Sequence, residues 1–157
     1  MQSTIFARLL ISITCFSVSA TGEVVDLCKM KSVEAVVGKR LTLAARMGFT
    51  SHGAFLLTDL CSRKVIPAAA VLLPRDPGVP EVDFELDQHA LTSLKPYLRL
   101  TGGAATACGT IVGEFVSKPN FRTERHGPIL QGNGFGPQGA LRFAFILQSV
   151  IEISSCP

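Results

Sequence analysis

From Gly38 onward apolar and polar side chains take turns along the chain. Leu41, Leu43, Ala45 and Met47 fall on one side, and Thr42, Ala44 and Arg46 on the other. Successive side chains alternate in this way only on an extended backbone, so the spacing predicts a strand. Thr50-Ser51-His52-Gly53 breaks the pattern and Ala54 to Leu60 resumes it, which predicts a hairpin. A third strand is expected from Lys64 to Leu72, with Pro67 confining part of it to an edge or a bulge. Asp87 suits the N-cap of a short helix in which Leu91 and Leu94 face inward and Pro96 limits further growth. After Gly102-Gly103, Cys108 to Val116 reads as a strand whose glycines mark bends or a close backbone approach. Leu141 to Ile153 is the longest strand expected. It puts Leu141, Phe143, Phe145, Leu147, Ile151 and Ile153 on one face, interrupted only by Ser149. Residues 23–37 form a lead-in with helical character through Val33, Ala35, Val36 and Val37.

Three strands, a connection with a short helix and two further strands is the order of an OB-like barrel. The expected fold is therefore all-β: a five-stranded OB-like barrel with a short connecting helix and a long loop before the last strand. A β-sandwich of this size needs about seven strands, more than the pattern supplies. With 157 residues, 47% hydrophobic and 17% charged, the chain has the composition of one domain with a buried core. Its formal charge of +3 is spread along the sequence. Together with the lack of Trp and a single tyrosine, Tyr97, this argues against nucleic acid as a partner.

Arg8, the apolar run Leu9 to Val18 and the small residues of Val18-Ser19-Ala20 have the make-up of a signal peptide, with cleavage expected after Ala20. The run is far shorter than the ~20 residues of a membrane-crossing helix, so no stable membrane span is expected. The domain organisation is then 1–20 signal peptide and 21–157 a single barrel domain, and the expected location is periplasmic or secreted. Removing the leader also removes Cys15 and leaves Cys28, Cys61, Cys108 and Cys156, an even set suited to two disulfides. No two of them have the spacing of a zinc knuckle and no His stands at ligand distance, so neither a metal nor a cofactor is expected. Hairpin geometry ranks the pairings. Cys61 follows the second strand of the first hairpin and should approach the residues before Gly38, where Cys28 lies. Cys108 opens one strand of the last antiparallel pair and Cys156 follows the other. Cys28–Cys61 with Cys108–Cys156 is favoured.

A Cys near the mature start, Gly38-Lys39-Arg40-Leu41-Thr42-Leu43, then His52-Gly53-Ala54-Phe55-Leu56-Leu57-Thr58-Asp59-Leu60-Cys61, and Gly113-Glu114-Phe115 before an apolar final strand occur together in this chain. The combination resembles small exported bacterial envelope proteins with an OB-like barrel. That resemblance implies an envelope location and no particular reaction, so it transfers no catalytic residue.

Two stretches stand out for chemistry. In Glu81-Val82-Asp83-Phe84-Glu85-Leu86-Asp87 four carboxylates alternate with three apolar residues and fit a solvated, charge-protected edge strand. From Ser117 to Gly139 the chain carries Lys118, Arg122, Arg125 and His126 against one acid, Glu124, and then five glycines. A connection of this length in a compact domain tends to be functional or disordered, and a mobile, functionally neutral loop is the first expectation. Arg122, Arg125 and His126 are candidates for holding an anionic group, and Phe121 and Phe135 for contact with an apolar one. The sequence therefore points to a noncatalytic binding module for an unknown protein or small envelope ligand. The rival is an enzyme with a site between His52 and the 117–139 segment, and a third reading is a purely structural envelope component. Ser51, His52 and Asp59 supply the residue types of a triad, but no nucleophile elbow accompanies them.

Overall fold

A computed structural model describes residues 23–57, 69–73, 87–98 and 103–156. Its elements in chain order are β1 (Val24–Asp26), β2 (Arg40–Thr50), β3 (Gly53–Leu57), β4 (Ala69–Leu72), α1 (Gln88–Leu98), β5 (Ala105–Ser117), β6 (Thr123–His126), β7 (Ile129–Gly132) and β8 (Phe143–Ser155). The main sheet runs β1-β2-β3-β4-β8-β5, and a further pairing of β5 with β2 closes it into a five-stranded barrel. The β4–β8 ladder is parallel, whereas β2–β3, β3–β4, β5–β8 and β2–β5 are antiparallel. This is the expected OB-like order with its helix between the third and fourth barrel strands.

The alternation read from the sequence holds on β2. Leu43, Met47 and Phe49 are buried, with Leu41 and Ala45 packed against them. A two-residue turn, Ser51-His52, joins β2 to β3, and Thr50 pairs with Gly53 across it. The lead-in is mostly not helical. Its first residues add β1 in parallel beside Thr42–Ala44 of β2, and single 3-10 turns follow at Leu27–Lys29 and Glu34–Val36. These short turns fold Leu27, Met30 and Val33 into the core.

The strand β8 departs from a strict period of two. Opposite β5, Gly113 pairs with Leu147 but Val112 pairs with Ser149. Likewise Ile111 pairs with Val150 but Thr110 pairs with Glu152. Each shift is a β-bulge that inserts one unpaired residue, first Gln148 and then Ile151, and turns the rest of the strand about its axis. The inward set becomes Phe143, Phe145, Leu147, Val150 and Ile153. Ile151, expected inside, is 56% exposed. In α1 the inward pair is Ala90 and Leu94, four residues apart on one face, whereas Leu91 is 41% exposed. The expected pair Leu91 and Leu94 is corrected accordingly.

Residues Phe143 to Leu147 are buried without alternation, because both faces of β8 are covered. Inside the barrel, Phe145 meets Phe115 edge to face with ring centroids 4.9 Å apart. Outside, Ala70, Ala144 and Phe135 form a second small core with Leu72, Val116 and Leu141. The chain from Phe135 to Leu141 thus packs back onto the barrel wall, and the expected long loop is an ordered excursion. Its outer part is the β6–β7 hairpin.

Cys108 and Cys156 are bonded, with Cα atoms 4.9 Å apart. Their bond fulfils the strand-end expectation and excludes the pairings that join Cys28 to Cys156 or to Cys108. Cys28 is itself disulfide-bonded. The Cys28–Cys61 pairing lies outside the described residues, because Cys61 does. So do the signal segment 1–20, Thr58–Leu60, Pro67 and Glu81–Leu86 of the acidic stretch. Among the described residues, no helix is long and apolar enough to cross a membrane.

Gly113, like Gly109, marks a close approach of β5 to β8. A β-carbon there would collide with the Ile146 carbonyl oxygen and come within 2.6 Å of the Phe145 ring, whereas one at Gly103 would meet nothing within 4 Å. Gly113→Ala should therefore cost about 1–3 kcal/mol, with Gly103→Ala near neutral. Urea unfolding of the two variants beside the parent checks this, and equal stability of all three would refute the tight seam.

Candidate functional site

Of the residues singled out in the 117–139 segment, Arg122, Arg125 and His126 belong to the projecting hairpin and its base, and Phe121 and Phe135 to its root. Asn133 fastens its base: its Oδ1 accepts the Arg122 N–H at 2.9 Å and its Nδ2 donates to the Asn120 carbonyl at 3.1 Å. Gly134 N–H donates to the Gly139 carbonyl at 2.8 Å, and Phe135 and Leu141 exchange a pair of backbone bonds. Beyond this clamp Arg122, Arg125 and His126 are all exposed. Glu124 stands 3.6 Å from His126 on the same face. Phe121 is half-buried, and its ring takes up the space a β-carbon at Gly134 would need. Phe135 is buried in the outer core, where it anchors the segment. The structure thus brings Arg122 and His126 together around a shallow polar depression with Gln131 and Asn133. Arg125 projects from the opposite face, since its pairing partner is Leu130.

A different set of residues forms a cavity of about 480 Å³ at one end of the barrel. The β2–β3 turn, the end of β4 and the last turns of α1 meet there, contributing Phe49, Phe55, Val71, Leu73, Leu94, Tyr97 and Leu98. His52 lies on its border, and Gly136 is the contribution of the 117–139 segment. The two regions expected to meet, His52 and that segment, do border one space, while Arg122, Arg125 and His126 are not among its described lining residues.

The lining is a product of local structure. Phe49 continues the inward alternation of β2 and stacks on Tyr97, with ring centroids 5.4 Å apart and planes 25° from parallel. The Thr50 hydroxyl is spent on the turn, donating to the Gly53 carbonyl at 3.2 Å and accepting the His52 N–H at 3.1 Å. The remaining polar side chains of the described lining are Ser51 and His52, both exposed, and Tyr97, which is half-buried. Among the described residues no group of three or more His, Cys, Asp or Glu side chains is placed to hold a metal ion. Asp59, the acid of the Ser51, His52 and Asp59 set, lies outside the described residues.

The helix that roofs the cavity is hooked to the barrel at its first turn. The Asp87 carboxylate accepts a hydrogen bond from the Ser149 hydroxyl on β8 and another from the Ala90 N–H at 2.6 Å. The Ser149 bond in particular holds this carboxyl below its usual range. Ser149, the interruption in the apolar face of the last strand, is the residue the first bulge frees for this contact.

Comparison with protein-family models, curated proteins and solved structures finds no match to the chain. Function is therefore read from the geometry of the molecule itself.

Sequence reasoning missed Phe49, Leu94, Tyr97 and Leu98 as a functional group. They are far apart along the chain, and their one signal was Tyr97, the only tyrosine. The helix hook leads to a pH-dependent expectation. A carboxyl held low in the folded state stabilises the fold fully above its unfolded value of about 4 and loses that contribution as pH falls through the folded value. Asp87→Ala should cost about 1 kcal/mol at neutral pH, as for other N-caps. The gap between variant and parent should shrink on acidification. Denaturant midpoints across the acid range decide it, and a gap that widens toward low pH contradicts the hook.

Proposed function

We propose that the protein is an exported, noncatalytic binding module that takes an apolar small molecule in the mouth of its barrel. The observation that carries the proposal is the 480 Å³ cavity walled by Phe49, Phe55, Val71, Leu94, Tyr97 and Leu98. Its volume falls in the range of small-molecule sites, and barrel mouths are a recurrent place for them. Apolar contact supplies the affinity, and the few polar groups at the opening, Ser51 and His52, orient a ligand that carries one polar end.

The amino-terminal segment and the cysteines support the exported setting. A Cys108–Cys156 disulfide and a bonded Cys28 fit an oxidising compartment such as the periplasm or the exterior. The rival enzyme reading draws on the same cavity, because His52 borders it. Catalysis needs a fixed constellation of polar groups, however, and apart from His52 the one ionisable side chain in the described lining is Tyr97.

Tyr97 gives a direct readout, since the chain has no Trp and no other Tyr. Titration with a long-chain alcohol such as dodecanol should change tyrosine emission in a saturable way. Leu98 is 48% exposed at the rim and tolerates a charge, so Leu98→Lys should weaken binding about tenfold, the worth of one lost apolar contact. A linear, unsaturable response, or unchanged affinity in Leu98→Lys, would argue against the mouth as the ligand site.

A further inference from the structure

The β6–β7 hairpin has no core of its own. Every side chain from Arg122 to Gln131 is exposed, and a two-stranded ribbon in water is at best marginally stable. What holds it is the clamp at its base and the tight turn at its tip. Gly127 takes a positive φ of 62° there and Pro128 comes next with its fixed negative φ. Such a combination suits a two-residue hairpin turn in which only the first central residue needs a positive φ. The ribbon therefore projects from the barrel as a defined shape.

Its side chains are graded from tip to base. At the tip, Ile129 is 47% and Leu130 is 39% exposed, next to Pro128. Arg125 stands directly across the ribbon from Leu130, and Arg122 lies about 13 Å behind the tip at the rise of a strand. Lys118 lies at the base and is exposed. Among the described residues neither Arg122 nor Arg125 has a carboxylate within salt-bridge distance, and Glu124 is the one acid on the ribbon.

The two apolar tip residues face opposite ways. Leu130 shares a face with Arg125, and Ile129 shares the other with His126. A flat protein surface covers one face of a ribbon and leaves the other wet. A fluid apolar phase covers both. From this two-sided apolar tip backed by cations, we propose that the hairpin docks the protein on an anionic phospholipid surface. Ile129 and Leu130 enter the headgroup and upper acyl region, Arg125 reaches the phosphates beside them, and Arg122 and Lys118 add attraction from farther back along the ribbon. The open backbone edges of β6 and β7 limit insertion to the tip, because unpaired backbone groups are not tolerated deeper in hydrocarbon. This surface is separate from the barrel mouth and does not depend on the ligand proposed for it.

The lack of Trp allows a single-reporter test. Ile129→Trp and Leu130→Trp place one reporter on each face of the ribbon, at exposed positions outside the barrel core. Both should show blue-shifted emission with vesicles of phosphatidylethanolamine and phosphatidylglycerol, and much less with pure phosphatidylcholine. In flotation with the same anionic vesicles, Arg122→Ala with Arg125→Ala should reduce partitioning about thirtyfold, the combined worth of two basic residues near such a surface, and flatten its salt dependence. Unfolding curves matching the parent confirm that the variants remain folded. Failure of the parent to float with anionic vesicles at low salt overturns the proposal. So does a blue shift confined to one of the two reporters, which marks a one-sided protein contact, or capture by immobilised polyglutamate in place of vesicles.

Discussion

Every part of this molecule leans on β5, which carries a backbone ladder on each side. Residues Ala105 to Glu114 pair with β2, and residues Ala107 to Ser117 pair with β8. A sheet of this order that lacked either ladder would have two open edges and a half-exposed apolar face. With both it closes, and Leu43, Met47, Ile111, Phe115, Phe145 and Leu147 share one interior. Glycines allow the double pairing. At Gly113 the neighbouring strand comes so close that its carbonyl and an aromatic ring occupy the place of a side chain. The Cys108–Cys156 bond then fastens the end of β8 to the start of β5, so the seam that closes the barrel is also its covalent staple.

The two bulges in β8 turn this closure into a site. Without them the strand would present Ser149 and Ile151 inward. With them Val150 fills the core and Ser149 is free to bond Asp87. That contact sets the start of α1, whose later residues Leu94, Tyr97 and Leu98 then reach the barrel end. The mouth is thus shaped by an irregularity in a strand that also lends it Leu147. In the same way, apolar cover on the outer face of β8, provided by Phe135 and Leu141, roots the hairpin that projects beyond it. One strand supports both surfaces, the apolar mouth inside and the basic, apolar-tipped ribbon outside.

How much of this was legible in the sequence depends on whether a feature has a period. The alternation of Leu41, Leu43, Ala45 and Met47 disclosed β2, the Thr50 to Gly53 break disclosed the first turn, and strand-end geometry paired Cys108 with Cys156. The bulges have no signal of this kind, since a residue inserted into a run such as Phe143 to Ile153 looks like continued strand; hence Ile151 stood on the wrong face. In α1 the sequence suggests Leu91 and Leu94 as the inward pair, whereas the barrel end selects the face that carries Ala90 and Leu94. The β6–β7 hairpin escaped notice because Thr123-Glu124-Arg125-His126 has no apolar alternation, having no core to face. The cavity was invisible for a different reason. Its walls come from segments tens of residues apart, and only the closed topology brings Phe49 onto Tyr97.

Native-state hydrogen exchange, read amide by amide, tests the central claim that a doubly paired β5 closes the barrel and leaves the hairpin outside it. Amides of β5 from Ile111 to Glu114, where the strand is paired on both sides, should exchange slowest and in concert with those of β8 from Phe143 to Leu147, through global unfolding. Those of β6 and β7 should exchange much sooner, through local opening. Contradiction would take one of two forms: the β2–β5 ladder exchanging as quickly as a free edge, which would deny closure, or the hairpin being as protected as β5, which would make it part of the core.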